Sequence, residues 1–534
     1  MTSRSECPPH QLLGQLDPEK HRDVGFMDVG SMDRRDFLKH LSLLPLLPLL
    51  DRLSRSELCR EHDRANVIIL LFDTLSANHM SLYGYHRKTT PNLARFAERA
   101  VVYHNHYAGG NFTTPGTASL LTGTYPWTHR ALNAAGRMHE SFERRNLLSL
   151  FHHRYHVIAY PHNMFAYLLL NQLREDIDTY LEPQTFGLFD DMFHTRLTPR
   201  DRNISFRALE ELLFQNNGFP GSPFFALANE IATMVSARSS RRRFEELYPR
   251  GVPYLKHYRA YYLVEDVLRG AADLVGRARQ PLLAYLHFFP PHEPYRPRVE
   301  FANLFQDSWK PVDKPSHVLS SGHSQEYLNQ QRTWYDQYIA HTDAEFGRLW
   351  ETLRDRGVLD NSYVVITSDH GELFERGVRG HLTPLLYDPV IHVPLIISTP
   401  GQERRLDVHT PTSCIDLLPT LLHLTGRSVP DWCEGQLLPE LGGDRDADRV
   451  VFSAEAKENA MDRPFTRATV AMIRGTYKLI HYVGHQGYEE EYELYDLEND
   501  PEELENLYSP TNPVATDMRN HLALKLQEVN RPYA

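Results

Sequence analysis

Three short stretches carry residue types that could do chemistry together. The first is Thr113-Thr114-Pro115-Gly116-Thr117-Ala118-Ser119-Leu120-Leu121-Thr122-Gly123. It reads as a loop turning into a short helix. Thr114 suits the N-cap, Pro115 the first helical position where no N–H is needed, and Gly123 the stop. Thr113 then sits just ahead of a helix N-terminus, where free N–H groups and the helix dipole favour a tetrahedral anion. A hydroxyl there could attack phosphorus or sulfur if its proton is removed. Taken alone, the stretch is more simply an ordinary capped helix.

The other two stretches are strand ends. Asn66-Val67-Ile68-Ile69-Leu70-Leu71-Phe72-Asp73 predicts a strand buried on both faces, with Asp73 at its C-terminal end. That is the edge where open α/β sheets place their ligands, although an Asp there can equally cap the following turn. Tyr363 to Thr367 predicts a second such strand, ending in Ser368-Asp369-His370-Gly371-Glu372. Asp73 with Asp369-His370 offers carboxylate oxygen and imidazole nitrogen. This set suits zinc, manganese or another divalent ion better than an all-oxygen calcium cage. Such a metal lowers the pKa of a bound hydroxyl and polarises a substrate oxyanion, which would activate Thr113.

The elements that must position these residues alternate along the chain. Helices are expected at Pro91 to Arg99, Leu147 to His153, Ala260 to Arg277, Thr333 to Arg356 and Ile415 to Thr425. Strands are expected at Val101 to Tyr107, His156 to Tyr160, Leu282 to His287 and Val393 to Ser398. This alternation implies an α/β/α sandwich with a largely parallel sheet. After Pro430 the texture changes to short alternating strands at Val450 to Ser453, Ala468 to Ile473, Tyr477 to Tyr482 and Tyr492 to Asp496, with a turn at Arg474-Gly475-Thr476 and a helix from about Thr516. The expected organisation is an N-terminal segment over 1–60, a catalytic domain over 61–430 and a small antiparallel α+β subdomain over 431–534.

Composition narrows the function. The chain has 534 residues, 41% hydrophobic and 24% charged, which is globular rather than disordered. A net charge of -12 argues against a general nucleic-acid binder, and the basic run Arg238 to Arg243 reads as a solvated helix face. Cys7, Cys59, Cys414 and Cys433 form no CxxC pair, so a zinc–thiolate site is not expected; Cys414 and Cys433 could pair in an oxidising compartment. Near the start, Arg34-Arg35 precedes the apolar run Leu41 to Leu50, which resembles a twin-arginine export signal over 32–50. The expected location is therefore exported, periplasmic or extracytoplasmic, with residues 41–50 as a membrane tether if they are not cleaved. The alternative, a chance basic pair before a small amphipathic helix, would leave the protein cytoplasmic.

Taken in order, these stretches resemble the sulfatase-like branch of the alkaline phosphatase superfamily, from about Ala65 to Leu507. Asp73-Thr74-Leu75 with Leu82-Tyr83-Gly84-Tyr85 and Thr90-Pro91-Asn92-Leu93 is similar to the family's opening, and Thr113 to Pro126 to its nucleophile signature. Leu286-His287 with Pro291-His292-Glu293-Pro294-Tyr295 resembles its middle histidine motif. Ser368 to Glu372, Gly380-His381 and Val393 to Ile397 resemble its metal and substrate region. Asp416 to Leu422, Tyr477-Lys478-Leu479 and Glu493 to Leu497 are similar to its C-terminal portion.

The resemblance implies Thr113 as nucleophile and Asp73, Asp369, His370 and the Thr113 oxygen as ligands of one divalent ion, with zinc or manganese ahead of calcium or magnesium. It implies His292 and His381 as groups that bind substrate oxygens or protonate the leaving group. Asn133 is a looser match to a substrate-binding amide, and Lys478 reads as structural. Family sulfatases start from Cys or Ser at the nucleophile position, oxidised to formylglycine, with Arg four residues later. Here those positions are Thr113 and Thr117, and Thr74 replaces the second acid of a doubled pair. No formylglycine is expected. A plain Thr is similar to the phosphoethanolamine and glycerol-phosphate transferases and phosphodiesterases. The expected activity is therefore hydrolysis or transfer of phosphate esters, phosphodiesters or phosphonate monoesters, through a covalent Thr intermediate. The alternatives are a sulfuric ester hydrolase with an unusual nucleophile and an exported anion-binding protein without turnover. The expected substrate is a small-molecule, lipid or glycan ester, with no nucleic-acid partner.

Overall fold

The computed structural model describes residues 64–188, 242–255, 260–488 and 491–533. The export-like segment at 32–50, Cys7, Cys59 and most of the Arg238–Arg243 run lie outside them.

Eight strands form the central sheet: β1 (Asn66–Phe72), β2 (Val101–Tyr103), β3 (His156–Pro161), β4 (Thr179–Tyr180), β5 (Leu282–Phe288), β6 (Ser362–Thr367), β7 (Leu395–Ser398) and β8 (Leu406–Val408). Their order across the sheet is β8-β2-β7-β6-β1-β5-β3-β4. All run parallel except β7, which is antiparallel to both its neighbours. Every residue of β1 is buried. Val67, Ile69 and Leu71 face one apolar cluster while Ile68, Leu70 and Phe72 face the other. Helices pack against the two faces, as an unbroken apolar run in a parallel strand requires.

The helices that matter for the site are α1 (Pro91–Ala97), α2 (Thr113–Thr122), α3 (Met164–Asn171), α4 (Val264–Arg277), α5 (Gln325–Asp355) and α6 (Leu417–Leu424). Several expected boundaries move. The 101–107 strand breaks into β2 and a separate bridge-forming pair, His106–Tyr107. Helix α4 starts only at Val264, because Ala260–Tyr261 pairs with Tyr254–Leu255. Helix α5 starts eight residues before Thr333, because the Ser324 hydroxyl accepts from the Tyr327 N–H and caps a polar first turn.

Beyond α6, strands β9 (Val450–Glu455), β10 (Ala468–Arg474), β11 (Tyr477–Val483) and β12 (Tyr492–Asp496) form a four-stranded antiparallel meander, followed by α7 (Pro513–Asn530). Gly475, at φ 59°, supplies the left-handed position of the β10–β11 turn. Cys414 and Cys433 are both free thiols here: Cys414 accepts from the Gly109 N–H, and Cys433 lies against the Gly123 carbonyl. Among the described residues no helix is long and apolar enough to cross a membrane.

Candidate active site

The C-terminal ends of β1, β3, β5 and β6, neighbours at the centre of the sheet, deliver Asp73, Asn163, His292 and Asp369-His370 to one edge. Helix α2 closes over them. It begins at Thr113, earlier than the expected Thr114 cap. Extended Phe112 stands in the cap position, and its carbonyl accepts from Gly116 N–H at 3.1 Å. The Thr114 hydroxyl instead donates to the Ala134 carbonyl, so no side chain caps this helix. Thr113 is thus the first helical residue. A Cβ on Gly116 would lie 2.2 Å from the Asp369 carbonyl oxygen, so the absence of a side chain lets α2 press against the Asp369 loop.

Asp73, Asp369 and His370 converge, with one ligand atom from each lying within 4.8 Å of the others. Asp73 Oδ1 is 3.4 Å and Asp369 Oδ2 3.8 Å from His370 Nε2. Thr113 Oγ1 lies 3.5 Å from the same nitrogen. All four residues are buried. Asp73 Oδ1 and Asp369 Oδ2 have no hydrogen-bond partner. Among the described residues, neither carboxylate forms an ion pair or hydrogen bond with Arg or Lys.

The electrostatics follow from that crowding. Burial pushes the Asp73 carboxyl up, but the neighbouring imidazoles of His292, His287 and His370 outweigh it and hold Asp73 well below the usual carboxylate range. Burial and the neighbouring Asp73 charge push Asp369 well above that range, against backbone N–H bonds that include one from Thr74. Thr74 has φ 63°, a left-handed conformation that a β-branched residue rarely adopts, and Tyr335 bonds its carbonyl. Burial holds the His370 imidazole neutral, down to about 3. Two facing carboxylates, two orphaned oxygens and a neutral imidazole are the donor set a divalent cation takes. The residues present therefore fit the metal.

His381 and His292 stand at the half-buried mouth, with ring centroids 5.1 Å apart; His381 is 4.3 Å from the His370 ring. Glu372, buried, accepts from His381 Nδ1 at 3.0 Å and from the Tyr295 hydroxyl at 3.0 Å. Burial lowers the His381 pKa, yet the Glu372 charge more than restores it, so the imidazole titrates above its ordinary value. His292 Nδ1 is bonded to the Glu293 carbonyl at 2.9 Å. Asn133 is exposed in a turn whose carbonyl accepts from Gly136 N–H, and it makes no hydrogen bond to Thr113, Asp73, Asp369 or His370. It is the one expected site residue that the structure does not draw into the cluster.

Two residues with no expected role do belong to it. Asn163 donates to Asp73 Oδ2 and to Thr113 Oγ1. His287 is fully buried, its Nε2 3.5 Å from Asp73 Oδ2 and 3.7 Å from Asp369 Oδ2. The histidine was visible in the Leu286-His287 motif, but nothing in an all-buried strand shows which side chain faces the site.

Residues 65–427 match the family described as Sulfatase, and residues 382–532 match N-sulphoglucosamine sulphohydrolase, C-terminal. The chain is 24% identical over 477 residues to a choline-sulfatase of Rhizobium meliloti, covering 84% of each. It is 23% identical over 515 residues to an N-acetylglucosamine-6-O-sulfatase of Bacteroides thetaiotaomicron, covering 89% of this chain and 87% of the relative. The solved phosphonate monoester hydrolase of Silicibacter pomeroyi shares the fold, with a TM-score of 0.59 at 19% identity over 88% of this chain and 96% of that one. Members of this superfamily bind a divalent metal, which agrees with the Asp73, Asp369 and His370 cluster. Because the Sulfatase match covers well over half of its length, the chain belongs to the sulfatase family of ester hydrolases.

Proposed function

We propose that this hydrolase cleaves monoanionic phosphorus esters, phosphodiesters or phosphonate monoesters, with Thr113 as nucleophile. The observation that carries the reading is the Thr113 hydroxyl itself. It is buried at the first turn of α2, 3.5 Å from His370 Nε2, where family sulfatases carry a Cys or Ser precursor of formylglycine. A threonine cannot become that aldehyde. It can attack phosphorus and leave a phospho-enzyme that water, or an acceptor alcohol, resolves.

Asp73, Asp369 and His370 would hold the divalent ion, with the Thr113 oxygen completing the set. When bound, that ion supplies Lewis acidity that favours the Thr113 alkoxide and polarises the ester oxygens. The chain's own groups do the rest. The α2 N-terminus presents N–H groups to the ester oxygens. His381, protonated above its ordinary range through Glu372, donates to the leaving oxygen, and His292 orients the ester beside it. Thr117, buried where the family carries Arg, brings no charge. Among the described residues no Arg or Lys is bonded to Thr113 or its acidic neighbours, so the positive charge at the site comes from the ion and the histidines. That balance favours a monoanion over a dianionic phosphate monoester.

The sulfatase names of the curated relatives favour a second reading, hydrolysis of a sulfuric ester with Thr113 in place of formylglycine. One assay separates the two: metal content, then turnover of a bis-aryl phosphodiester, an aryl phosphonate monoester, an aryl phosphate and an aryl sulfate, each beside Thr113→Ala. Sulfate turnover far above every phosphorus substrate would reverse the ranking, and full activity in Thr113→Ala would remove the nucleophile. We also propose export through Arg34-Arg35. Replacing both by lysine should retain the precursor in the cytoplasm, and unchanged fractionation would reject the signal.

A further inference from the structure

Asn163 contacts both the nucleophile and a ligand carboxylate. It follows the C-terminal end of β3, two strands from β1, and is 2% exposed. Its side chain caps helix α3, with Oδ1 accepting from the Phe165 N–H at 2.7 Å. Oxygen and nitrogen of an amide are alike in shape, so the network must decide which is which. Here the cap demands an acceptor, and the NH2 group must face the other way. There it meets two acceptors, Asp73 Oδ2 and, at 3.2 Å, Thr113 Oγ1. The flipped amide would set its oxygen against the Asp73 carboxylate and its NH2 against the Phe165 N–H. Both ends therefore fix one orientation.

We propose that Asn163 is a catalytic residue whose N–H holds Thr113 Oγ1 through both halves of the reaction; this rests on Thr113 being the nucleophile. In the first half the Oγ1–phosphorus bond forms as the bond from phosphorus to the leaving oxygen breaks. The Oγ1 proton passes to solvent, and the leaving oxygen takes a proton from His381. In the second half a water oxygen bonds to phosphorus and gives a proton back to His381, the phosphorus–Oγ1 bond breaks, and its electron pair returns to Oγ1, which takes a proton from solvent. Relative to the neutral hydroxyl and to the phosphate ester, Oγ1 carries negative charge in both transition states. A donor already aimed at that atom, and fixed by a helix cap, stabilises the charge without reorganising. By filling one acceptor direction of Oγ1, it also turns the remaining lone pair toward the incoming ester. The second N–H keeps Asp73 in register with Thr113.

Asn163→Ser and Asn163→Asp test this, because serine and aspartate are both good N-caps and neither keeps the amide donors. Each is compared with wild type and Thr113→Ala on a bis-aryl phosphodiester, by steady-state and burst kinetics, metal analysis and thermal unfolding. We expect kcat to fall about 10²- to 10³-fold in both variants. KM should stay within about 3-fold in both, and in Asn163→Ser, which adds no charge beside Asp73, metal content and unfolding temperature should stay near wild type. Burst and post-burst phases should both slow, which a residue that only caps α3 would not produce. Turnover within about 3-fold of wild type in both variants, with Thr113→Ala inactive, overturns the role of Asn163 alone. So does recovery of wild-type kcat on adding excess metal, since the amide would then act only through Asp73. An active Thr113→Ala overturns the nucleophile and Asn163 together.

Discussion

Two of the buried ionic clusters among the described residues are built on opposite plans. In the C-terminal half, Lys478 on β11 is fully buried and pairs with Asp388, at 2.7 Å, and with Glu503. The Asp388 N–H also donates to Glu503 at 2.9 Å. Nearby, Lys314 donates to both oxygens of Glu375, at 3.0 and 2.9 Å, and pairs with Glu502. Every anion there meets a cation that the chain itself supplies. At the sheet edge, Asp73 and Asp369 face each other with histidines, an amide and a hydroxyl, and two of their oxygens have no partner. The first cluster joins β11 to the short helix Asp388–Ile391 and to the loop at Glu503; the second leaves room for an external cation and a reaction. Burial alone does not mark a functional site, but unmatched charge in a buried cluster does.

The sharpest way to separate the two plans is to remove one group from each. Thr113→Ala takes away the nucleophile and no charge. We expect turnover to fall by at least about 10³-fold while thermal unfolding stays near wild type. Lys478→Met does the reverse. It strands Asp388 and Glu503 without their cation and should cost about 3–5 kcal/mol in denaturant unfolding, with kcat of the folded fraction little changed. Adding Glu503→Gln to Lys478→Met should restore part of the loss. A Lys478→Met protein as stable as wild type would show that the cluster is not the lock its geometry implies.

The difference between the clusters also explains what the sequence could reveal. Asp73 and Asp369-His370 are legible because each closes an apolar run that only a buried parallel strand explains, and the strand end itself says where they point. Lys478 reads as structural, and its pairing with Asp388 and Glu503 suits that reading. Asn163 carries no charge, follows Pro161-His162 and sits 90 residues from Asp73 along the chain; it reaches Asp73 only because β3 lies two strands from β1. An Asn before Met164 does signal an N-cap, so its helix could have been found, but not its partners. His287 is hidden for another reason. In β5, buried on both faces, alternation does not separate the side that meets Asp73 from the side that meets the core. The onset of α2 is not legible because the Thr114 hydroxyl bonds Ala134 across the loop, a tertiary contact that outweighs its local capping preference.

Removing a carboxylate should have opposite consequences in metal-free and metal-loaded protein, but only at the sheet edge. Asp369 is pushed up by burial and by Asp73, so in chelated protein it is a source of repulsion. Asp369→Asn should raise metal-free stability by about 1–3 kcal/mol and abolish the rise in unfolding temperature that added zinc or manganese gives wild type. Calorimetry with and without metal reads both effects. A metal-dependent shift that survives in Asp369→Asn would remove this residue from the ligand set.

The smallest effect is a pH dependence in the matched cluster. Burial pushes Glu503 up to about 7 from its ordinary 4.5; Lys478 opposes the shift and Asp388 adds to it. The folded chain therefore keeps a proton on Glu503 that the unfolded chain has released above about pH 4.5. By linkage, the stabilisation from this proton is fully present below that value and is lost as pH rises through about 7. Glu503→Gln holds the site neutral at every pH, so its unfolding temperature should gain on wild type as pH rises from about 5 to about 8. Parallel curves would mean that Lys478 keeps Glu503 ionised throughout. The cluster would then hold two anions against one cation, and the contrast with the sheet edge would rest on that cation's position rather than on a match of charge.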